Sequence, residues 1–316
     1  MNMSEHTQIL RSGLRGELRR DESMARHVSW RAGGRARCTY APADLQDLAL
    51  FLQGLPAHEP VLMTGLGSNL LVRDGGLDAT VIFTHWALRG LRLLHQDVTG
   101  GELWAQAGVA SPKIARFAAL HALGAAEFFS GIPGTLGGAL AMNAGCYGGE
   151  TWNVVTRIET IDRAGAMHVR IPQDYTIAYR SVVRRSHAAA DFLHHDEWFV
   201  AATLRLPAGD GAMARQRIKE LLARRIATQP LGEPNAGSVF RNPPGDHAAR
   251  LIEACGLKGH VIGGAAISGK HANFIVNRGD ARAADIEALI DLAQQTVQQR
   301  CGILLEREVR VVGERA

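Results

Sequence analysis

Apolar positions along this chain recur with two periods, and the two do not alternate regularly. After Asp44, a helix N-cap residue, Leu45, Leu48, Ala49 and Leu52 share one helical face. Ser111 and Pro112 pair a cap with a first-turn proline. They open a helix whose inner face is Ile114, Phe117 and Ala118, with Gly124 placed to end it. A basic helix is predicted over 212–228 from Ile218, Leu221, Leu222 and Arg225, and Pro230 stops it. Ala248, Leu251, Ile252 and Cys255 mark a shorter helix closed by Gly256, and Ile286, Leu289, Ile290, Ala293 and Val297 form a stripe over 285–299. Short β-type runs fall at 61–63, 70–72, 80–83, 91–95, 102–107, 154–160, 167–171, 198–206 and 308–312. Leu10, Leu14 and Leu18 recur every fourth residue and suggest a short helix in a polar N-terminal stretch. Strands and helices without βαβ alternation define an α+β chain. A break at Pro207-Ala208-Gly209-Asp210-Gly211 divides it into 23–207 and 208–316, after an extension over 1–22.

Bulk properties narrow the function. The chain has 316 residues, 46% hydrophobic and 21% charged, an ordinary globular composition with room for two domains. The net charge of +4 is spread over scattered arginines, which favours a phosphorylated or carboxylated small molecule over nucleic acid. Cys38, Cys146, Cys255 and Cys301 are far apart with no C-x-x-C pair, so neither a disulfide framework nor a structural zinc site is expected. No signal-peptide core and no run of apolar residues long enough to span a membrane occurs, and a cytoplasmic protein is the expectation.

The densest signal is glycine. The stretch 127–150 reads EFFSGIPGTLGGALAMNAGCYGGE and holds Gly131, Gly134, Gly137, Gly138, Gly145, Gly148 and Gly149. A second cluster, Thr64-Gly65-Leu66-Gly67-Ser68-Asn69, lies between two strand runs. Glycine lets backbone approach a ligand closely, and runs of exposed N–H groups form concavities for anions such as a pyrophosphate. Neither cluster has the Rossmann spacing and no P-loop motif is present, so two strand-rich lobes holding a dinucleotide phosphate is the reading that fits.

Three further stretches carry reactive chemistry: Tyr179-Arg180-Ser181, the run NAGSVFRNP at 235–243, and LEREV at 305–309. Together with WRAGG (30–34), GLGSNLLV (65–72), SGIPGTLGGALAMNAGCYGGE (130–150), GGAAISGKHANFIVN (263–277) and LEREVRVVG (305–313), they resemble the UDP-N-acetylenolpyruvoylglucosamine reductase family, in family order from about residue 23 to 313. The spacing from Tyr179 to Ser238 matches the shorter subtype, which lacks an extra tyrosine-bearing loop.

The resemblance implies a two-lobed FAD-binding domain of the vanillyl-alcohol-oxidase (PCMH) type and a smaller α+β substrate-binding domain. It implies noncovalent FAD contacted by Thr64, Gly65, Gly67, Ser68, Asn69, Gly131, Gly134, Gly137, Gly138, Asn143 and Gly145. It implies hydride from NADPH, through flavin N5, to C3 of UDP-N-acetylglucosamine enolpyruvate, and a proton to C2. Ser238 matches the family's proton donor and Glu308 its C-terminal catalytic glutamate, with Glu306 a rival two residues away. Hydride addition pushes charge toward the substrate carboxylate, and a guanidinium can bind that group bidentately, the role given to Arg180. Tyr179, Arg241, Asn242 and Asn277 fall in substrate-binding segments, and Lys258, Lys270, His271 and Asn273 lie nearby. No catalytic metal is implied, and His194-His195-Asp196-Glu197 reads as a solvated loop. The expected partners are small molecules acting on a monomer. Two other readings stand beside it: another flavin oxidase or dehydrogenase of the same FAD fold acting on an alcohol or hydroxy acid, and a UDP-sugar or flavin-binding protein without turnover.

Overall fold

The computed structural model describes residues 13–185 and 196–316. Contacts divide these residues into two units whose segments interleave. The first comprises residues up to Arg20, Cys38–Gly65 and Ala79–Leu222; the second comprises Asp21–Arg37, Leu66–Asp78 and Ala223–Ala316. The division therefore crosses the chain several times, where the sequence pattern suggested one boundary near 207. Local composition marks a turn but carries no record of which distant segments pack together.

Much of the first unit is two sheets. Five antiparallel strands run in the order Met167–Arg170, Val155–Asp162, Glu197–Pro207, Gly100–Gln106, Leu91–Asp97. Leu103, Ala105, Ala202 and Leu204 of this sheet are buried with Ile114, Ala118, Leu136 and Leu140 from two helices. A four-stranded sheet has the order Glu17–Ser23, Arg35–Ala41, Leu77–Phe83, Val61–Thr64. Helix α1 (Leu45–Gln53) packs Leu48, Phe51 and Leu52 into a cluster with Tyr40, Val61 and Ile82. Asp44 caps it as expected, accepting from the Asp47 amide at 2.9 Å. Asp47 itself is fully buried. Burial opposes its charge, but hydrogen bonds from the Arg15 amide, the Tyr40 hydroxyl and the Ala43 amide hold its carboxyl below the ordinary value.

The N-terminal leucines differ from the helix that their spacing suggested. Leu10 lies outside the described residues, whereas Leu18 lies in the strand Glu17–Ser23 and packs with Leu14 against the Tyr40 cluster. A spacing of four returns to the same side of a strand as well as of a helix, so the leucines alone could not separate the two.

Helix α2 (Ser111–Leu120) also starts differently. Its N-cap is Ala110, which bridges Thr135, and Ser111 is the first helical residue with no cap bond. Left-handed Ala122 follows the end of α2 ahead of Gly124. Helix α3 (Leu136–Ala141) is a short turn inside the glycine-rich stretch that periodicity did not reveal. Helix α4 (Gly211–Thr228) follows the predicted range and buries Ile218 and Leu221.

The second unit has a core of Trp30, Leu71, Phe240, Leu251, Ile252, Ile275, Ile286, Leu289 and Ile290, drawn from all its segments. Helix α5 (Ala248–Ala254) packs against helix α6 (Ala283–Cys301), and α6 packs on a three-stranded antiparallel sheet of Val261–Ile262, Ala265–Ile267 and Ile275–Asn277. The strand Leu70–Val72 pairs in parallel with Arg310–Val312. Beyond it, Asp74 accepts from the amides of Ala283 and Ala284 at the start of α6, at 3.0 and 2.8 Å. Arg73 holds buried Glu287 with two hydrogen bonds of 2.9 and 2.7 Å, and Arg315 adds a third at 3.2 Å. Among the described residues, no helix is long and apolar enough to cross a membrane.

The Arg73 guanidinium, opposed by burial and assisted by Arg315, lowers the Glu287 carboxyl from 4.5 to about 2. A depressed carboxyl stabilises the fold above its unfolded value and loses that effect as pH falls through the folded value. Glu287→Ala is expected to cost roughly 3 kcal/mol in urea denaturation at pH 7. The gap from wild type should shrink as pH falls from 4.5 toward 2; a gap independent of pH would contradict this ion pair.

Candidate active site

In the first unit, Gly65 meets the glycine-rich stretch. A Cβ on Gly65 would lie 2.2 Å from Thr135 Oγ1, so only glycine lets the turn after Val61–Thr64 rest on the 130–138 segment. Leu136 N and Gly137 N donate to Val109 O and Ala107 O at 2.9 and 2.8 Å, and Ser111 N donates to Gly134 O at 3.0 Å. Gly131 is buried, and a Cβ there would lie 2.4 Å from Cys146 Sγ. Gly138 is different: it is exposed, with open space where its Cβ would be.

Beside these turns, the hydroxyls of Ser111 and Thr135 are buried with no hydrogen-bond partner among the described residues. A buried hydroxyl without a partner costs roughly 1–3 kcal/mol, so two in one place mark a spot shaped for a polar ligand. Thr64 offers its carbonyl to Thr84 Oγ1 at 3.1 Å, which fixes the end of its strand. The close backbone packing, the open space over Gly138 and these hydroxyls fit a pyrophosphate group. Ser111 and Thr135 were absent from the expected contacts. The sequence carried a faint signal, since Thr135 lies inside the glycine run, but Ser111 read as a cap.

Arg180 also belongs to the first unit. Strands Tyr175–Ala178 and Ser181–Arg184 pair with Ala178 opposite Ser181, so Tyr179 and Arg180 are the two-residue turn. Arg180 has φ 55°, a left-handed conformation that strains a side-chain-bearing residue. Its Nη1 donates to Asn143 O at 3.3 Å and its Nη2 to Gly145 O at 3.1 Å, with the guanidinium 4.9 Å from the Tyr179 ring centroid. The base of the hairpin is anchored by Glu197, which accepts from Arg184 at 2.6 Å and from Arg170 twice at 2.9 Å. Burial would raise this carboxyl, but Arg170, Thr160 and Arg184 lower it to about 2. Glu197 is therefore an ion-pair centre; His194 and His195 lie outside the described residues.

Asn143 serves the same hairpin. It is buried with φ 40°; its Nδ2 donates to Glu150 at 2.9 Å and to Ala178 O at 3.3 Å, and its Oδ1 accepts from Trp152 N at 3.2 Å. Its carboxamide, expected at the cofactor, thus ties the glycine stretch to the Arg180 turn.

The second unit holds the other expected residues. Gly67 is buried at φ 59°, and a Cβ there would lie 2.2 Å from His27 O. Its carbonyl accepts from Ser29 N at 3.2 Å, and the Ser29 hydroxyl is buried without a partner among the described residues. Ser68 is half-buried, and next to it Asn69 donates from Nδ2 to Glu308 O at 3.0 Å and accepts from Arg310 N at 3.0 Å. Ser238, half-buried, follows Gly237, whose φ is 76° and whose Cβ position is open. Val239 O accepts from Glu308 N at 2.8 Å, Phe240 bridges Arg307, and Arg241 N donates to Glu306 O at 2.9 Å. Asn273 locks this ladder: its Oδ1 accepts from Phe240 N at 3.0 Å and its Nδ2 donates to Phe240 O at 2.8 Å. Glu308 is half-buried, whereas the Glu306 side chain is 72% exposed and paired with Arg241 at 3.2 Å. That separates the two glutamates.

Asn242 Oδ1 accepts from Ala248 N at 3.1 Å, at the start of α5. The carboxamide of Asn277 is committed internally, to Trp30 O at 2.8 Å, Gly279 N at 2.8 Å and Ala281 N at 3.1 Å. Burial lowers the pKa of His271 and favours its neutral form. Among the described residues, no cluster of three or more His, Cys, Asp or Glu could hold a metal.

A profile described as an FAD-binding domain matches residues 36–170, and the fold and cradle there are those of an FAD-dependent oxidoreductase. A second profile, the UDP-N-acetylenolpyruvoylglucosamine reductase C-terminal domain, matches residues 229–312. The reductase of Thiobacillus denitrificans is 55% identical over 313 residues, covering 96% of this chain and 94% of the relative. That of Legionella pneumophila is 50% identical over 300 residues, with 95% and 93% covered. The crystal structure of the Thermus caldophilus reductase superposes with a TM-score of 0.73 at 30% identity, covering 94% of this chain and 99% of that one. The chain belongs to the UDP-N-acetylenolpyruvoylglucosamine reductase family, the FAD-dependent reductases of peptidoglycan precursor synthesis.

Gly138 and Gly65 give a paired test of the cradle. Gly138→Ala fills only open space in a helix and should leave the apoprotein stable within about 1 kcal/mol. If the pyrophosphate lies against this backbone, the added methyl should weaken FAD retention at least ~10-fold by fluorescence titration. Gly65→Ala should lower both stability and retention. Unchanged FAD affinity in Gly138→Ala would contradict the placement of the cofactor.

Proposed function

We propose that this chain, with FAD bound noncovalently, uses NADPH to reduce UDP-N-acetylglucosamine enolpyruvate to UDP-N-acetylmuramate. It acts as a cytoplasmic monomer, with FAD binding assigned to 23–207 and substrate binding to 208–316. The observation that carries the residue assignment is the Glu308 N to Val239 O hydrogen bond of 2.8 Å, which holds the Ser238 segment beside Glu308 in one unit.

FAD, when bound, would supply the hydride that adds to C3 of the enolpyruvyl group, with NADPH as its source. Hydride arrival leaves electron density at C2 and on the adjoining carboxylate. Arg180 binds that carboxylate and stabilises the developing charge. The hydrogen bonds to Asn143 O and Gly145 O and the Tyr179 ring hold its planar fork in place before substrate arrives. Ser238 gives its hydroxyl proton to C2. A serine is a weak acid in water, but the carbanionic carbon is a strong base, and exclusion of water favours the transfer. Glu308 orients the same intermediate. Arg241 and Asn242 meet the uridine diphosphate end of the substrate. Asn277 acts at one remove, by fixing Trp30 and the turn at Gly279.

Ser238→Ala should leave flavin reduction by NADPH within about twofold and slow the reoxidation by substrate at least ~10²-fold in stopped-flow measurements. Equal losses in both half-reactions would overturn the proton-donor role. Arg180→Ala should lower turnover by about 10²–10³, or roughly 3–4 kcal/mol; a near-normal rate would remove its assigned role.

A further inference from the structure

Cys255 and Cys301 lie outside the residues assigned to the reaction, yet they face one another. Their sulfurs are 3.8 Å apart, although the residues are 46 positions apart in sequence. Cys255 is the C-cap of α5 and is buried, whereas Cys301 is the last residue of α6 and is exposed. The chain turns away after Cys301 at Gly302, whose φ is 70°, so this side chain stands at a helix end. Closing the gap to a disulfide's ~2.05 Å needs a movement of about 1.8 Å, within reach of χ1 rotation at two helix ends.

Of the two, the exposed Cys301 is the one that an oxidant in solution reaches. Arg300 donates from Nη1 to Cys255 O at 3.2 Å, and Arg250 lies in electrostatic reach of Cys301. The thiolate is the form of a cysteine that attacks an oxidant. Burial and the neighbouring thiol raise the Cys255 thiol, which leaves the first attack to Cys301. Two thiols make only half of a tetrahedral zinc site, and among the described residues no third His, Cys, Asp or Glu completes one.

We propose that Cys255 and Cys301 form a peroxide-oxidisable dithiol that closes into an intramolecular disulfide joining the ends of α5 and α6. The Cys301 thiolate attacks one oxygen of hydrogen peroxide, breaking the O–O bond and forming a sulfenic acid with release of hydroxide. The Cys255 sulfur then attacks the sulfenic sulfur, the S–O bond breaks, and the oxygen leaves as water. In sum, two thiols and one hydrogen peroxide give one disulfide and two waters. The thiols lose two electrons to the peroxide. The link encloses the three-stranded sheet of the second unit within a covalent loop.

The test uses the full-length protein, reduced, freed of reductant, treated with a small excess of hydrogen peroxide, alkylated and cleaved with trypsin. The expected product is a peptide of residues 251–258 joined to residues 301–307, lighter than the two together by two hydrogens, in at least about half of the chains. It should vanish on treatment with dithiothreitol and be absent from Cys301→Ser and from Cys255→Ser, while Cys38→Ser retains it. Oxidation of Cys301 to its sulfinic acid with Cys255 still free would overturn the proposal. So would a linkage found only between two chains on a non-reducing gel.

Discussion

The chemistry assigned to the second unit rests on a few backbone hydrogen bonds between segments far apart in sequence. Val239 O accepts from Glu308 N, Arg241 N donates to Glu306 O, and Asn273 closes the other side of Phe240. These bonds hold the Ser238 run against the Glu308 run without using either side chain. The core beneath them makes the ladder firm: Phe240 and Leu305 are almost fully buried, and Val239 and Val309 nearly so. Asn69 extends the same arrangement by bonding Glu308 O and Arg310 N, which brings the GLGSN turn into register. The proton-donor role proposed for Ser238 requires placement to a fraction of an ångström, and main-chain bonding over a buried core favours such placement.

The first unit meets a comparable demand by different means. Here the need is close approach, and it is met by glycine where a Cβ would collide, as at Gly65 and Gly131. Conformational strain is held in the same region. Asn143, Tyr147 and Arg180 all have positive φ without being glycine. Such residues cost about 1–3 kcal/mol each and persist where surrounding bonds over-determine them. Asn143 and Arg180 restrain one another directly through the guanidinium bond to Asn143 O, and Glu197 anchors the hairpin from below. These bonds offset the strain and fix the position of the Arg180 guanidinium.

Much of this was legible in the sequence, for physical reasons that can be named. The glycine runs stood out because few side chains tolerate those backbone demands, whereas Tyr179-Arg180 and the NAGS segment stood out only as parts of the ordered family motifs. Long amphipathic stretches such as α4 and α6 followed their apolar stripes to within a few residues. The N-terminal strand did not, since leucines four apart suit either element. The interleaved division of the chain was invisible because local pattern does not encode distant contact. The carboxamides of Asn143 and Asn277 illustrate a further limit. An asparagine in a motif reads equally as a ligand contact or as an internal brace, and only the geometry shows both amides engaged with the protein's own backbone. Ser111 and Thr135 are the converse, ordinary in sequence but conspicuous once buried without partners.

The measurement that bears most directly on this account is NADPH consumption by the purified, FAD-loaded protein with and without UDP-N-acetylglucosamine enolpyruvate. The account predicts consumption that depends on this substrate and yields UDP-N-acetylmuramate mole for mole. A folded, FAD-loaded protein that consumes no NADPH, or consumes it with oxygen uptake regardless of substrate, would contradict it.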